Sequence, residues 1–364
     1  MGIGQRALEV LEMNGAFWDG KRVFVTGHTG FKGGWLSLWL EQRGARLYGF
    51  SLPPPTTPSL FETAGIEQLF EEHNFGDVCD LVALTDAMQS AQPDIVLHFA
   101  AQSLVRYSYA APVETFAVNV MGTVNVLEAA RKAASVSALV NVTTDKCYDN
   151  KEWHWGYREC EALGGHDPYS ASKACSEIAT AAYRNSFAQD GGPWIGSGRA
   201  GNVIGGGDWA LDRLLPDVFR AIDANETVNV RNPDATRPWQ HVLEPVAGYI
   251  ALAEHLATQG RPFADAWNFG PADTDARPVR WILEKIAELR PGFVWNVEQA
   301  EAVHEANYLK LDSSRARALL GWTPCWSLET ALEKTSVWHD AWLAGSDMQL
   351  FSRQQISEYQ SVEI

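Results

Sequence analysis

Between Arg22 and Gly44 the chain reads RVFVTGHTGFKGGWLSLWLEQRG, and few folds accommodate that order of residues. Arg22 to Thr26 alternates as a buried strand does, Gly27, Gly30 and Gly33 follow as G-x-x-G-x-x-G, and from about Gly34 a helix is expected, carrying Trp35, Leu36, Leu38, Trp39 and Leu40. Strand, glycine turn and helix in that order make a cradle for phosphate. Gly27 permits the tight turn, Gly30 lets main chain approach a pyrophosphate, and Gly33 lets the helix pack closely with its N-terminus facing the anion. Thr29, Phe31 and Lys32 lie between these glycines and are candidate lining residues. Strands and helices keep alternating through roughly residue 200, which predicts an α/β fold with a Rossmann-type doubly wound parallel sheet.

The second strand, ARLYGF, runs through Ser51 into LPPPTTP, where a dinucleotide site commonly places an acid for the ribose 2′-hydroxyl. That acid is missing, which leaves NAD against NADP more open than the fold; NAD is the expected cofactor, with NADP not excluded. Asp77 and Val78, in FGDVCDL, are placed to reach an adenine ring from the next strand end. In PDIVLHFAAQSLVRYSY, Ile95, Val96, Leu97 and Phe99 read as a buried strand, and the small Ala100 and Ala101 leave room for a cofactor against the main chain. Gln102, Ser103 and Arg106 then lead toward the cleft. Asn119 sits in the middle of the helical VETFAVNVMGTVNVLEAARKAA, where asparagine is mildly unfavourable, so it either bends the helix or bonds something specific.

The apolar strand SALVNV delivers TTDKCYDN, and YSASK follows after a loop. Tyr169 and Lys173 stand four apart, on one face of a helix, an arrangement suited to oxidising an alcohol. A cationic lysine beside a tyrosine favours the phenolate, and so a base near neutral pH. Thr143 leads into the site and Thr144 offers a hydroxyl to fix a substrate oxygen. Asp145 and Lys146 add a carboxylate and an ammonium, more acid–base equipment than hydride transfer alone requires. A lone Y-x-x-x-K occurs by chance in many helices; here a strand end places it where open α/β sheets bind ligands.

Beyond PWIGSGRAGNVIGGGDW the alternation breaks up, marking a change of domain. Residues 18–200 are expected to bind NAD and to carry the catalytic groups. Residues 201–345 are expected to form a smaller C-terminal α/β domain, mainly for substrate, with room for some later segments to return to the first. Asn202, Arg213, Arg231 and Arg237 fall on loops of this later part and could clamp a diphosphate, since arginine binds phosphate oxygens bidentately. Local arginines matter because the chain carries a formal charge of −16 and no basic run, which argues against nucleic-acid or membrane binding. Five cysteines without metal-ligand spacing, and an N-terminus without a leader core, point to a cytoplasmic protein with reduced thiols and no metal. Of the fifteen tryptophans, some are expected to be structural plates and others to line a sugar pocket.

GHTGFKG, HFAAQ, NVMGTVNVLEAA, TTDKCY, YSASK and LGWTP, in that order, resemble the extended short-chain dehydrogenase/reductases that act on nucleotide sugars, from Lys21 to about Trp338. VTGHTGFKGGWLSLWL, TTDKCYDN, RAGNVIGGGDWA and RPWQHVLEP resemble the CDP-sugar branch of the 4,6-dehydratases. Related dTDP- and GDP-sugar dehydratases carry glutamate at the place of Lys146. The resemblance implies CDP-glucose as the small-molecule substrate, loss of water to a 4-keto-6-deoxy sugar, and a homodimer or homotetramer. It also implies that Leu214, His304 and Tyr308 join the substrate site. Tyr169 with Lys173 and Thr144 would take the C4 hydroxyl proton, Asp145 would protonate the departing C6 hydroxyl, and Lys146 or a water it positions would help remove the C5 proton. A 4-epimerase, a dehydratase for another nucleotide sugar and a non-catalytic nucleotide sensor are the alternatives.

Overall fold

A computed structural model describes residues 17–188, 191–297 and 306–362. His304 and most of the amino-terminal stretch on which the leader expectation rests lie outside the described residues.

Seven parallel strands form the main sheet: β1 (Arg22–Thr26), β2 (Arg46–Ser51), β3 (Phe70–Phe75), β4 (Ile95–His98), β5 (Ala138–Val142), β6 (Trp194–Ala200) and, from far along the chain, an edge strand at Ala266–Phe269. Their spatial order is β3-β2-β1-β4-β5-β6 and then the Ala266–Phe269 strand, so the order reverses between β1 and β4. Thr26 pairs with His98 at that reversal, and the loops leaving the two strands open a crevice at their carboxyl ends.

The strands are apolar on both sides because the sheet is covered on both sides. Val23, Val25, Ile95, Leu97 and Val140 enter one core, while the alternate Phe24, Val96, Leu139 and Ile195 enter the other, as the period of two requires. The first core is closed by α1 (Phe31–Gln42) and by a helix at Leu243–Gln259. The second is closed by α2 (Leu81–Ala91) and α3 (Thr123–Lys132), with α4 (Pro168–Phe187) alongside α3. The helix α1 starts at Phe31, three residues before the sequence suggested, because Gly30 is its extended N-cap and Gly33 and Gly34 are both helical.

Later segments build a second, smaller layer from β7 (Asn202–Ile204), β8 (Val228–Val230), β9 (Thr236–His241), β11 (Ala276–Pro278) and β12 (Trp295–Val297), β10 being the Ala266–Phe269 strand of the main sheet. In it β9 pairs in parallel with β7 and antiparallel with β11, and β8 pairs with β12. With α5 (Leu214–Ala224), α6 (the Leu243–Gln259 helix), α7 (Val279–Leu289), α8 (Leu328–Leu343) and α9 (Met348–Val362), these complete the named elements. Val218, Phe219, Trp239, Ile282, Leu283 and Leu332 form a separate core beneath this layer.

Several tryptophans act as plates whose N–H groups are satisfied: Trp35 donates to the Gly206 carbonyl, Trp322 to that of Glu244, and Trp338 to Ser352 Oγ, each at 2.9 Å. Trp153 and Trp155 are exposed and lie against each other at a tilt of 31°, and Trp153 stacks on Tyr157. The helix α9 lies along α1: Tyr359 meets Trp39 edge-on, Arg353 pairs with Glu41 at 2.7 Å, and Tyr359 Oη donates to the buried Glu244 at 2.6 Å. No described helix is long and apolar enough to cross a membrane.

Candidate active site

The glycine cradle has the geometry its spacing predicts. Gly27 takes a left-handed φ of 76°, and a Cβ there would lie 2.6 Å from the Ala100 nitrogen. A Cβ on Gly33 would overlap the Gly27 carbonyl oxygen, whereas one on Gly30 would meet only that oxygen, at 3.4 Å. No side chain caps α1, so its first N–H groups are left for an anion. The Thr29 hydroxyl bonds Ser51 Oγ and the Leu52 carbonyl at 2.8 and 2.9 Å, tying the cradle to the end of β2. At the end of β3, Asp77 is exposed and caps the Cys79 N–H, and Val78 is buried against Gly122.

Asn119 bonds something specific, within a widened stretch of its helix. The helical backbone widens to a π-turn over Ala117–Gly122. There Asn119 Oδ1 accepts from the Gln102 N–H at 3.0 Å, and its amide donates to the Gln102 carbonyl and to Ser172 Oγ, both at 2.9 Å. One side chain thus fixes the strand exit Phe99–Ala100–Ala101–Gln102 against the helix α4 that carries Tyr169 and Lys173.

Thr143 and Thr144 leave β5, and Asp145–Cys147 form a single tight turn capped by Thr144. The Thr144 hydroxyl donates to Asp145 Oδ1 at 3.0 Å, accepts from the Lys146 N–H at 3.3 Å, and bonds the Tyr169 phenol. Its bonding capacity is therefore full. The sequence offered this hydroxyl to a substrate oxygen; in the structure its proton is directed to Asp145 Oδ1. Asp145 is wholly buried, and its second oxygen, Oδ2, has no bond among the described residues.

Burial sets the acid–base behaviour more than the Tyr169–Lys173 spacing suggested. It pushes the Tyr169 phenol well above its usual value, against the pull of the Thr144 bond. The Lys173 ammonium is lowered to about 8 by burial, with Glu177, one turn along, opposing that fall. Lys32 drops to about 7, from burial first and then from Arg213 and Lys173, Asp145 opposing and Lys146 adding. Lys32 thus lies within electrostatic reach of Arg213, Lys173, Lys146 and Asp145, basic groups that outnumber the acid among them. In an acidic chain this is where an anionic ligand would be welcome.

Behind the site, Glu177 accepts from Thr143, from Ser197 at 2.7 Å and from Arg199 at 2.8 Å, and Arg199 reaches the Tyr148 hydroxyl at 2.9 Å. This buried network was missed; its only sequence signal was an acid one turn after Lys173. The Arg213 guanidinium bonds Ser103 Oγ and Asp208, each at 2.9 Å, while Arg106 and Arg231 meet on Asp212, at 2.7 and 3.9 Å. Arg231, expected to hold diphosphate, thus shares one carboxylate with Arg106, expected at the cleft, and Leu214 follows Arg213 at the start of α5. Arg237 is no surface charge, being 7% exposed on β9. Tyr308 bridges to Thr236 beside it, and Asn202 begins β7 with its amide oxygen unbonded. Among the described residues no group of His, Cys, Asp or Glu could hold a metal ion.

Comparison with known proteins adds the lineage. A family model described as GDP-mannose 4,6 dehydratase matches residues 24–335. A CDP-glucose 4,6-dehydratase of Salmonella typhimurium is 51% identical over 95% of this chain and 98% of its own, and a dTDP-glucose 4,6-dehydratase of Escherichia coli is 27% identical over 77% and 82%. Among solved structures, a UDP-glucose-4-epimerase of Stenotrophomonas maltophila with bound NAD superposes with a TM-score of 0.76 at 22% identity, covering 90% of this chain and 100% of that one. MoeE5 in complex with UDP-glucose and NAD gives 0.74 at 23%, covering 88% and 99%; both likenesses concern the fold. With a cradle at the sheet reversal, a Tyr169–Lys173 pair beside it and a family match over most of its length, the chain belongs to the GDP-mannose 4,6 dehydratase family.

Proposed function

We propose that the protein is a hydro-lyase that converts CDP-glucose to CDP-4-keto-6-deoxyglucose and water. The observation that carries this reading is Asp145, a buried carboxyl bonded through Thr144 to the tyrosine of an alcohol-oxidising pair. An epimerase needs the tyrosine and lysine but has no use for an acid at C6. The 51% identity to a CDP-glucose 4,6-dehydratase supports both the reaction and the nucleotide.

The cradle residues fit a dinucleotide. Gly27, Gly30 and Gly33 with the N–H groups of Phe31 and Lys32 would hold the pyrophosphate, Asp77 and Val78 the adenine side, and Phe99 to Gln102 the nicotinamide side. No arginine or lysine follows β2 from Leu52 to Thr63, which leaves a 2′-phosphate without a cation and favours NAD over NADP. Bound NAD would supply the acceptor and later the donor of hydride. The chain's own residues do the rest. Tyr169 takes the C4 hydroxyl proton, and Lys173 and a cationic nicotinamide offset the effect of burial on the phenol. Asp145 protonates the C6 oxygen as it leaves. Lys146 stands where related enzymes carry a carboxylate and holds, or acts through, the group that removes the C5 proton. Arg106, Arg213, Arg231 and Arg237, with Ser103, Asn202 and Tyr308, receive the nucleotide diphosphate.

Residues 18–200 are assigned to cofactor and catalysis and 201–345 mainly to the nucleotide sugar. The five cysteines are all free, in keeping with a cytoplasmic enzyme, and a homodimer or homotetramer supplying deoxysugar for lipopolysaccharide O-antigen belongs to the same proposal. A turnover panel of CDP-, dTDP-, UDP- and GDP-glucose tests it. A 4-keto-6-deoxy product from CDP-glucose is expected, and a C4 epimer or no product from any of the four refutes it.

A further inference from the structure

Proton counting exposes a step that the reaction needs and that no residue has yet been given. The substrate loses water, made of the C6 hydroxyl and one proton. The C4 hydride moves to C6, and the C5 proton leaves and is replaced. The only proton withdrawn without return is that of the C4 hydroxyl, which goes to Tyr169. Asp145, meanwhile, gives a proton to the C6 oxygen and ends as carboxylate. Each turnover therefore leaves one proton too many on Tyr169 and one too few on Asp145.

Resting on the dehydratase reading, the geometry points to Thr144 as the relay that returns this proton from Tyr169 to Asp145. The three groups already stand in a row. The Thr144 hydroxyl gives its proton to Asp145 Oδ1 at 3.0 Å and lies within bonding reach of the Tyr169 phenol, where it favours the deprotonated form; once Tyr169 has taken the C4 proton, the phenol becomes the donor to Thr144. A proton arriving at Oγ from the phenol is matched by one leaving for Oδ1; no O–H is gained or lost at Thr144. Lys146 N–H takes the remaining acceptor position on Thr144 and holds the hydroxyl in that orientation. All three partners are nearly sealed from solvent, at 7% exposure for Tyr169 and Thr144 and 0% for Asp145, so exchange with bulk water is hindered while substrate covers the site. The proton then sits on Oδ1, and rotation of the carboxyl, whose Oδ2 has no bond among the described residues to hold it, turns the O–H toward C6. One competing carrier exists. The buried Tyr249 hydroxyl is also without a partner among the described residues and feels the charges of both Tyr169 and Asp145.

Rapid-quench turnover of NAD-loaded enzyme with CDP-glucose separates these routes, comparing Thr144→Val, Thr144→Ser and Tyr249→Phe with the parent. A relay role predicts that Thr144→Val forms one product per site in a first turnover and then slows by about a hundredfold, the scale of a lost proton transfer. Formic acid should speed the later turnovers and leave the first unchanged, and Thr144→Ser should behave as the parent. Equal slowing of first and later turnovers, without rescue by formic acid, overturns the relay. A burst in Tyr249→Phe and none in Thr144→Val overturns it in favour of Tyr249. Failure of the parent enzyme to form any dehydrated product marks instead the failure of the dehydratase reading.

Discussion

Replacing Glu177 by glutamine removes the charge from a pair whose side chains are 1% and 4% exposed and 2.8 Å apart. Burial alone would raise the Glu177 carboxyl, but the charge of Arg199 and the bonds from Arg199, Thr143 and Ser197 hold it below its usual value. Breaking such a pair strands a buried guanidinium and typically costs about 3–5 kcal/mol. Glutamine keeps an acceptor for one of the two hydroxyls, so the lower figure, about 3 kcal/mol, is expected here. With a slope of about 3 kcal/mol per molar urea, that moves the unfolding midpoint down by about 1 M, measurable by tryptophan fluorescence. Combining Glu177→Leu with Arg199→Met should recover most of the loss, because no charge is then left unpaired. Because the folded carboxyl is the stronger acid, the parent's advantage is present above the unfolded value of about 4.3 and is lost as pH falls through the folded one. A cost below about 1 kcal/mol, or a double variant as unstable as the sum of the singles, would refute the reasoning.

Tyr169→Phe should nearly abolish turnover with substrate and NAD affinity intact in equilibrium binding. Asp145→Asn should slow elimination by about 10²- to 10⁴-fold while C4 oxidation continues, so that the near-ultraviolet absorbance of reduced cofactor builds up transiently. Arg213→Ala should weaken CDP-glucose in calorimetric titration and leave NAD affinity unchanged; the reverse pattern would move Arg213 to the cofactor. His28, His98 and His241 are pulled by burial from 6.5 to about 3, so the folded state binds fewer protons than the unfolded in that window. Stability is thus intact above pH 6.5 and falls progressively below it, and His28→Phe should flatten that fall in melting temperatures taken across the range.

The parts of the site carried by short, local patterns were legible in the sequence. Strand, glycines and helix at Arg22–Gln42, and Tyr169 with Lys173 one turn apart, depend on neighbours along the chain. Asn119 could be flagged as misplaced in a helix, but its partners at Gln102 and Ser172 are 17 and 53 residues away. The Glu177–Arg199 pair and the sharing of Asp212 by Arg106 and Arg231 are set by tertiary packing alone, and periodicity carries no trace of them. Burial was the other hidden quantity. The sequence put a lysine beside a tyrosine and suggested a ready phenolate, whereas the low-polarity surroundings oppose charge on both.

The contact of α9 with α1 bears on how the protein can be handled. The last helix braces, through Tyr359 on Trp39 and Arg353 on Glu41, the same helix whose uncapped first turn is proposed to face the pyrophosphate. A cut before Met348 would strip the Glu244 carboxylate of the Tyr359 hydroxyl and loosen the loop whose Cys325 and Trp326 N–H groups bond it. An affinity tag or fusion partner joined tightly after Val362 would pull on that brace. Weakened retention of NAD during purification would be the symptom, far from the point of attachment.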